Sequence, residues 1–501
     1  MFPAKAIGDW ASSRRKSLEA VLGSTHAHTI LLLLGAVIYL LAYLRHNDLP
    51  GNHPTHPAEA WWGWWDQSQY LKTARAIATG TLGPDTLWYP VGYSLLAAPF
   101  WLIAPKHAFF LPDLFLVLAF VIALWKIARL HVTRIEALLI VFGFCALHPW
   151  TLRDSFVIPW NSIPTAAAFA WGIWILLSRP HLAGSIALSC IVAAAYWFRP
   201  ADAFSMAPML VASVLRLSPW RDKWRAALAG MTIVAVSVTG VGLLHLSIFG
   251  TWQSNYDRIA NNVGFLSLPF SLKCYWLLVD PSLFFLETFS GLLIRFPWLM
   301  LAPAAIVTLV HRHGWPGLGA VSTILLSLAL YVSFNDFHPL NVLRFKLIHY
   351  IAWTMPVLFI GCYVCLTRGW RHRLLAGAVP AGIGISVLIL SFKAELRPVA
   401  LEHQNGSLVV PAEHPLILQF PNVPQDARPQ LTLDGKPARP FQDYLTPWQP
   451  QHLKFMLTNR YQGRILEVSR PEVLHAEARA WVLRWTLASP LRHWPANNPA
   501  P

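Results

Sequence analysis

Charge is what this 501-residue chain has least of: 13% of its residues are Asp, Glu, Lys or Arg, against 55% hydrophobic ones. A soluble globular domain carries about 25% charged residues, so a soluble enzyme of this length is excluded and a polytopic membrane protein is indicated. Cysteine is scarce too. Cys145, Cys190, Cys274, Cys362 and Cys365 lie mostly in apolar stretches, so no disulfide framework is implied. The Cys362-x-x-Cys365 spacing falls inside a hydrophobic run, where apolar packing outweighs redox or metal chemistry. Acidic residues number 24 against 39 Lys and Arg, giving a formal net charge of +15. In a membrane chain such an excess bears first on topology, and no nucleic-acid partner is expected. Missing altogether are a P-loop, a Rossmann glycine fingerprint, a His-Glu-x-x-His motif and a spaced Cys/His zinc set. The 20 histidines are scattered, so no metal site rises above background. No cofactor is required by anything in the chain, and a divalent metal is unsupported. Solenoid repeats and low-complexity segments are absent as well.

What is abundant is long apolar runs. Stretches close to the length that crosses a bilayer occur at about 29–45, 108–125, 135–148, 163–178, 183–197, 203–215, 226–247, 297–310, 317–334, 347–366 and 374–392, about eleven spans in all. Short basic connections alternate between them: Lys126 to Arg134, Arg179 to His181, Arg216 to Arg225, Arg312 with its flanking histidines, and Arg368 to Arg373. Placing these in the cytoplasm satisfies the positive-inside rule. The N-terminus, with Arg14, Arg15 and Lys16 and no small-residue cleavage site after the next apolar run, then stays cytoplasmic. Regions 46–107, 149–162, 250–296 and 335–346 fall outside, as does the tail from about 393.

The segment 88–105 is apolar enough to resemble a span, but counting it would invert every later loop. It is therefore expected as an interfacial helix. The tryptophans Trp61, Trp62, Trp64, Trp65, Trp88 and Trp101 agree, since amphipathic indoles favour the headgroup layer. The tail is polar and proline-rich, with short alternating stretches (Ser407 to Val410, Leu416 to Phe420, Leu431 to Leu433, Arg464 to Val468), an Asp434-Gly435 turn signal, and a helical pattern from Pro471 to about Leu487. The expected fold is an all-α polytopic membrane domain over residues 1–392, with amphipathic juxtamembrane helices in its first outer loop. A small soluble domain follows over residues 393–501, β-rich and closed by a helix. The expected location is the cell inner membrane, multi-pass, with that tail domain in the periplasm.

The residues able to carry chemistry begin with Trp64-Trp65-Asp66-Gln67-Ser68-Gln69-Tyr70, continue through Lys72 and Arg75 to Ala78-Thr79-Gly80, and are followed by Tyr89-Pro90-Val91-Gly92-Tyr93 and Pro99. With Gly80 as a stop signal, residues 67–79 are expected to form a helix with Tyr70, Ala74, Ile77 and Ala78 on one face. Asp66 has a structural role open to it, as an N-cap with Gln69 completing a capping-box pattern. A carboxylate so placed stays ionised, and a catalytic role is compatible with capping.

An acidic residue just after the first span, the D-x-x-x-Y spacing, and the run Tyr-Pro-x-Gly-Tyr-Ser-Leu-Leu-Ala-Ala-Pro-Phe together resemble the first outer loop of the GT-C superfamily of membrane glycosyltransferases. That superfamily includes the protein O-mannosyltransferases and the bacterial aminoarabinose transferases of lipid A. Weaker echoes are Asp154, Arg199-Pro200, Phe249-Gly250 with Tyr256, and Arg344-Phe-Lys-Leu-Ile-His-Tyr350, so the likeness extends over most of residues 29–366. It implies a GT-C-like fold, a polyprenyl-phosphate sugar donor and inverting transfer to a hydroxyl or amine of a glycan, lipid or protein acceptor. One departure stands out: protein O-mannosyltransferases carry Asp-Glu where this chain has Asp66-Gln67, which removes a carboxylate.

Inverting transfer needs a carboxylate to take the acceptor proton and positive groups to stabilise the departing phosphate. Asp66 is the candidate base. Asp154, beside Arg153, fits either an acceptor-orienting or shared-base role or a loop ion pair. Arg199 fits phosphate binding, or snorkelling to the headgroups at a span border. Arg344, Lys346 and His349 fit contact with a lipid phosphate, as substrate or as bulk membrane, and Arg258 is a weaker candidate of the same kind. Tyr70, Tyr89, Tyr93 and Tyr256 are expected along the substrate groove, while Lys72 and Arg75 suit the solvated face of the first outer helix. A lipid-linked saccharide flippase would use the same basic residues without chemistry. An envelope-glycan polymerase or ligase would be marked by a large late loop, and 250–296 is long enough for one.

Overall fold

The computed structural model describes residues 24–53, 55–56, 58–147, 156–258, 264–265, 270–280, 291–334, 350–351, 353–368, 373–421, 429–438, 442–443, 452–457, 461–473 and 478–487. The chain is mostly helical, with a small sheet region near its C-terminus. It divides into two compact units: residues 1–262, 301–331 and 344–382 form the first, and residues 263–300, 332–343 and 383–501 the second.

The helices of the first unit follow the apolar runs. They are α1 (Ser24–Leu44), α2 (Trp65–Ala78), α3 (Val91–Trp101), α4 (Phe110–Arg129), α5 (Arg134–Leu147), α6 (Ser162–Ser178), α7 (Leu182–Phe198), α8 (Pro200–Ser205), α9 (Ala207–Leu215) and α10 (Trp220–Phe249). Four helices among the described residues are long and apolar enough to cross a membrane: His26–Leu44, Pro105–Arg129, Trp220–Phe249 and Trp315–Ser333. Several others are apolar but shorter, including α6, α7 and Pro200–Leu215. The interior is built where α4 lies along α6, and α7 lies along both α6 and α10. Phe169 stacks face to face on Trp353 at 3.8 Å, Phe120 stacks on Phe156 at 5.1 Å, and the Trp171 indole donates to the Ala119 carbonyl. By contrast α10 leaves Leu228, Met231, Val236 and Leu243 exposed, as a surface bathed in hydrocarbon would.

The segment expected to lie at the interface is short indeed. Helix α3 has 11 residues, about 16 Å at 1.5 Å per residue, against about 30 Å for a hydrocarbon core. It packs against α2 and α7. Gly92 explains how close: a Cβ there would come within 2.7 Å of the Trp197 carbonyl oxygen. The glycine of the Tyr-Pro-x-Gly-Tyr run is thus a contact point between two helix backbones.

Helix α2 starts at Trp65 and ends at Ala78, two residues earlier than expected at its start and one at its end. Gly80 ends it in a left-handed conformation at φ +69°, a region that glycine enters without the usual steric cost. Its inward side carries Gln67, Gln69, Tyr70, Thr73, Ala74 and Ala76, so the face centred on Tyr70 and Ala74 is partly polar. Ile77 and Ala78 are only half-buried, and Lys72 and Arg75 are exposed.

Later in the chain come α11 (Phe270–Leu278), α12 (Leu292–Arg295), α13 (Ala302–His313), α14 (Trp315–Ser333), α15 (Thr354–Arg368) and α16 (Arg373–Ser391). The tail of the second unit forms two five-stranded sheets whose pairings are all antiparallel. Their strands are β1 (Phe392–Pro398), β2 (Glu402–Gln404), β3 (Ser407–Val409), β4 (Leu416–Pro421), β5 (Leu431–Leu433), β6 (Lys436–Pro437), β7 (Gln442–Asp443), β8 (His452–Leu457), β9 (Ile465–Val468) and β10 (Arg479–Leu487). The orders are β1-β10-β4-β8-β7 and β2-β3-β9-β5-β6. Leu408, Leu431 and Leu466 from one sheet share an apolar core with Leu418, Phe420, Phe455 and Val482 from the other.

The expected closing helix from Pro471 to Leu487 is corrected here. Among the described residues of this segment, a single turn at Pro471–Val473 is helical, and residues 479–487 form β10, an internal strand paired over seven residues with β1 and over four with β4. Trp481, Val482, Trp485 and Thr486 are the aromatic and β-branched types that pack well on a pleated surface. The two open strand edges beside them supply hydrogen bonds that a helix would have to make alone.

Replacing Gly92 by alanine should force α3 away from α7 and cost about 1–3 kcal/mol, the usual range for overpacking. A lowered thermal unfolding midpoint of the detergent-solubilised protein is the measurement.

Candidate functional site

Proline sets up the centre of the site. Pro200 cannot extend α7 and biases the residue before it away from helical geometry, so Arg199 is extended (φ −162°, ψ 98°) between α7 and α8. Its side chain turns inward and is 2% exposed, which sets aside the snorkelling role. The guanidinium carbon lies 4.1 Å from the Tyr350 ring centre and 4.8 Å from that of Tyr331, and these two rings stack at 4.9 Å. Such cation–π contacts are worth about 2 kcal/mol or more when desolvated. The counter-charge is Asp202, one turn along α8 and 1% exposed, with Oδ2 at 3.8 Å from Arg199 Nη1. That is an ion pair beyond hydrogen-bond reach. Asp202 is held from its other side by the Tyr331 hydroxyl, which donates to Oδ1 at 2.5 Å. Among the described residues, Arg199 Nε and Nη1 are buried with no hydrogen-bond partner.

The second part of the site is a platform built from α2 and α3. Asp66 is not the cap of α2: Trp64 occupies that position without a side-chain bond, and Asp66 lies inside the first turn. The capping box with Gln69 is therefore corrected. Trp64 enters in extended geometry and the helix begins at Trp65, which leaves the Asp66 carboxylate able to accept a hydrogen bond from the Tyr89 hydroxyl. The helix start still favours its negative charge. Gln67 anchors the same turn by donating to the Pro159 carbonyl at 3.0 Å in a buried setting.

Aromatic rings join the two parts. Tyr70 contacts Tyr89 at 4.9 Å and Tyr93 at 5.3 Å, and Tyr89 contacts Tyr256 at 5.4 Å. Asp66 and Arg199 both act electrostatically on the phenols of Tyr70 and Tyr256. Burial first, and then the Asp66 carboxylate, push the Tyr70 and Tyr89 phenols upward from their usual range. Burial also raises Tyr256, against the opposing pull of Arg199. All three phenols therefore stay protonated at neutral pH and serve as donors.

Tyr93 lies one step behind. Its hydroxyl donates to both oxygens of Asp113, at 2.9 and 3.0 Å, and the carboxylate is 1% exposed at the start of α4. Ser94 binds the Tyr70 carbonyl at 3.0 Å, fixing α3 to α2 beneath the tyrosines.

Of the expected site residues, Asp66, Tyr70, Tyr89, Tyr256 and Arg199 come together, with Tyr93 in support. Arg258 is exposed, with Nη2 3.5 Å from the Thr251 hydroxyl, and is not one of the groups packed on Arg199. Asp154, Arg344, Lys346 and His349 lie outside the described residues. Sequence reasoning missed Asp202, Tyr331 and Asp113, and met Tyr350 only as the last residue of the run 344–350, with no role given to it. An acid three residues after Arg199, and an acid inside an apolar run, were the signals for Asp202 and Asp113; Tyr331 had none. The chain matches no protein-family model and no curated protein, so the site is read from its own geometry. That geometry holds a buried cation with unused donors, phenolic donors, and a carboxylate able to accept a proton, which together suit an anion leaving group and an attacking hydroxyl or amine.

Removing Asp202 by alanine should cost about 3–5 kcal/mol of stability, because Arg199 is left without its counter-charge. Tyr331→Phe should cost about 1–3 kcal/mol, through the unpaired carboxylate oxygen. In equilibrium unfolding, the Arg199→Leu/Asp202→Leu double variant should fall short of the sum of the single losses.

Proposed function

We propose that this chain is an inverting membrane glycosyltransferase of the GT-C type. In this reading about eleven spans hold it in the cell inner membrane with the N-terminus in the cytoplasm, and the site opens to the outer face. It moves one sugar from a polyprenyl phosphate to a hydroxyl or amine of an envelope glycan, a lipid or an exported protein. The observation that carries this reading is the pairing, around one set of tyrosines, of the ionisable acid Asp66 with a buried guanidinium whose Nε and Nη1 have no hydrogen-bond partner among the described residues. Buried donors of a charged group are costly when unsatisfied. A phosphate oxygen arriving with the donor would satisfy them.

The reaction follows from those positions. The acceptor hydroxyl or amine gives its proton to the Asp66 carboxylate as its oxygen or nitrogen attacks the anomeric carbon from the face opposite the phosphate. The bond between that carbon and the phosphate oxygen breaks, and its electron pair leaves with the polyprenyl phosphate. Arg199, steadied by Asp202 and by the faces of Tyr331 and Tyr350, balances the charge gathering on that oxygen in a water-poor setting. Tyr89 keeps the Asp66 carboxylate in place, and Tyr70 and Tyr256 offer phenolic donors along the groove.

Purified protein supplied with a polyprenyl-phosphate hexose and an envelope-glycan extract as acceptor should release free polyprenyl phosphate. Asp66→Asn should lower that release by about 10²–10⁴-fold, the usual worth of a general base, while the protein remains folded and inserted. Undiminished release from this variant would remove Asp66 from the chemistry. Transport without release would point to a flippase, and release of a pyrophosphate carrier to a polymerase or ligase.

A further inference from the structure

Within the second unit a cleft of about 440 Å³ opens beside the two-sheet core, within the range of about 300–1,000 Å³ typical of small-molecule sites. Its apolar side is formed by Val399, Leu401, Leu416 and Val482, all of which belong to or pack against that core. Four polar side chains complete it: Glu402, Glu413, His414 and Arg484.

Arg484 is the unusual member. It stands two residues after the buried Val482 on β10, hence on the same face of the strand, and opposite Glu395 of β1. Leu416 pairs with Val482, and the Leu483 N–H donates to the Pro415 carbonyl at 3.1 Å, which brings His414 alongside Arg484. The guanidinium is thus carried on the inward-facing row of the strand. Its Nε is buried without a hydrogen-bond partner among the described residues. Buried donors of this kind are normally satisfied by protein, water or ligand. Glu402 and Glu413 are exposed, and their two negative charges disfavour an anionic occupant, so the donor calls for a neutral oxygen.

We infer that this cleft is a saccharide-binding site. A sugar ring is amphiphilic in the same sense as the cleft. Its C–H face covers an apolar wall such as Val399 and Leu401, and its hydroxyls pair as donors to a carboxylate and as acceptors from a guanidinium or imidazole. Glu413 accepts hydrogen bonds from hydroxyls, Arg484 donates to a hydroxyl or ring oxygen, and the apolar wall selects the ring face. The site stands on the geometry of the second unit alone and needs no transfer activity.

The test uses the full-length detergent-solubilised protein with no lipid donor present, and saturation-transfer NMR against free glucose, mannose, galactose, arabinose and N-acetylglucosamine, with inorganic phosphate as the anion control. At least one sugar should show saturation transfer at millimolar concentration. Its affinity should fall about tenfold or more in Arg484→Gln and in Glu413→Gln, the loss of a charge-assisted hydrogen bond in each case. Glu413 is exposed, so its variant folds even where Arg484→Gln does not. The inference is overturned if none of these sugars binds, if binding is unchanged in Glu413→Gln, or if phosphate binds in an Arg484-dependent way while the sugars do not. Because transfer is never measured, failure here leaves the Asp66 reading untouched, and failure of that reading leaves this one.

Discussion

A single buried positive charge organises the first unit. Taking a guanidinium out of water costs several kcal/mol even after relaxation, and at Arg199 that cost is offset from three directions. Asp202 supplies the opposite charge at 3.8 Å, Tyr331 and Tyr350 supply their ring faces, and the break between two helices at Arg199-Pro200 supplies the inward direction. Each depends on the next: the Tyr331 hydroxyl orients Asp202, and the carboxylate sits one helical turn from the arginine because Pro200 starts a fresh helix there. The ion pair stops short of hydrogen-bond contact, so the cation is held electrostatically while its Nε and Nη1 have no hydrogen-bond partner among the described residues.

The platform of α2 and α3 solves a different problem, that of fixing a carboxylate at the border of an apolar body. Helix α2 is held by side chains bonding to backbone: Gln67 to Pro159, Thr73 to Thr86, and Ser94 to Tyr70. Helix α3 fits beneath it because Gly92 lets two backbones meet. The Asp113–Tyr93 contact continues the support into α4. The tyrosines between Asp66 and Arg199 do two jobs here, filling space as aromatic rings and keeping O–H donors in a region poor in water.

The apolar helices were legible because period and length are written locally. The apolar runs at 163–178 and 183–197 correspond to α6 and α7 within one residue at each end. Asp66 and Arg199 were legible as candidates because each stands beside a local signal, a helix start and a proline. Their roles at the site were less so. Asp66 was expected to cap its helix and instead bonds a tyrosine 23 residues away, a partner chosen by tertiary packing. Tyr331 lies 129 residues from Asp202, a separation at which no pattern in the chain predicts contact. β10 failed for a related reason: its local pattern suited a helix, and the deciding factor was the pair of strands, nearly a hundred residues away in one case, that flank it.

The modest length of α6 and α7 bears on the membrane placement proposed above. At 17 residues each they reach about 26 Å, a few ångströms less than an average hydrocarbon layer of about 30 Å. A bilayer meets such hydrophobic mismatch by thinning locally at modest cost. Under the transferase reading proposed above, such thinning at the end of α7, where Arg199 follows it, would shorten the path of a lipid-borne phosphate to the guanidinium.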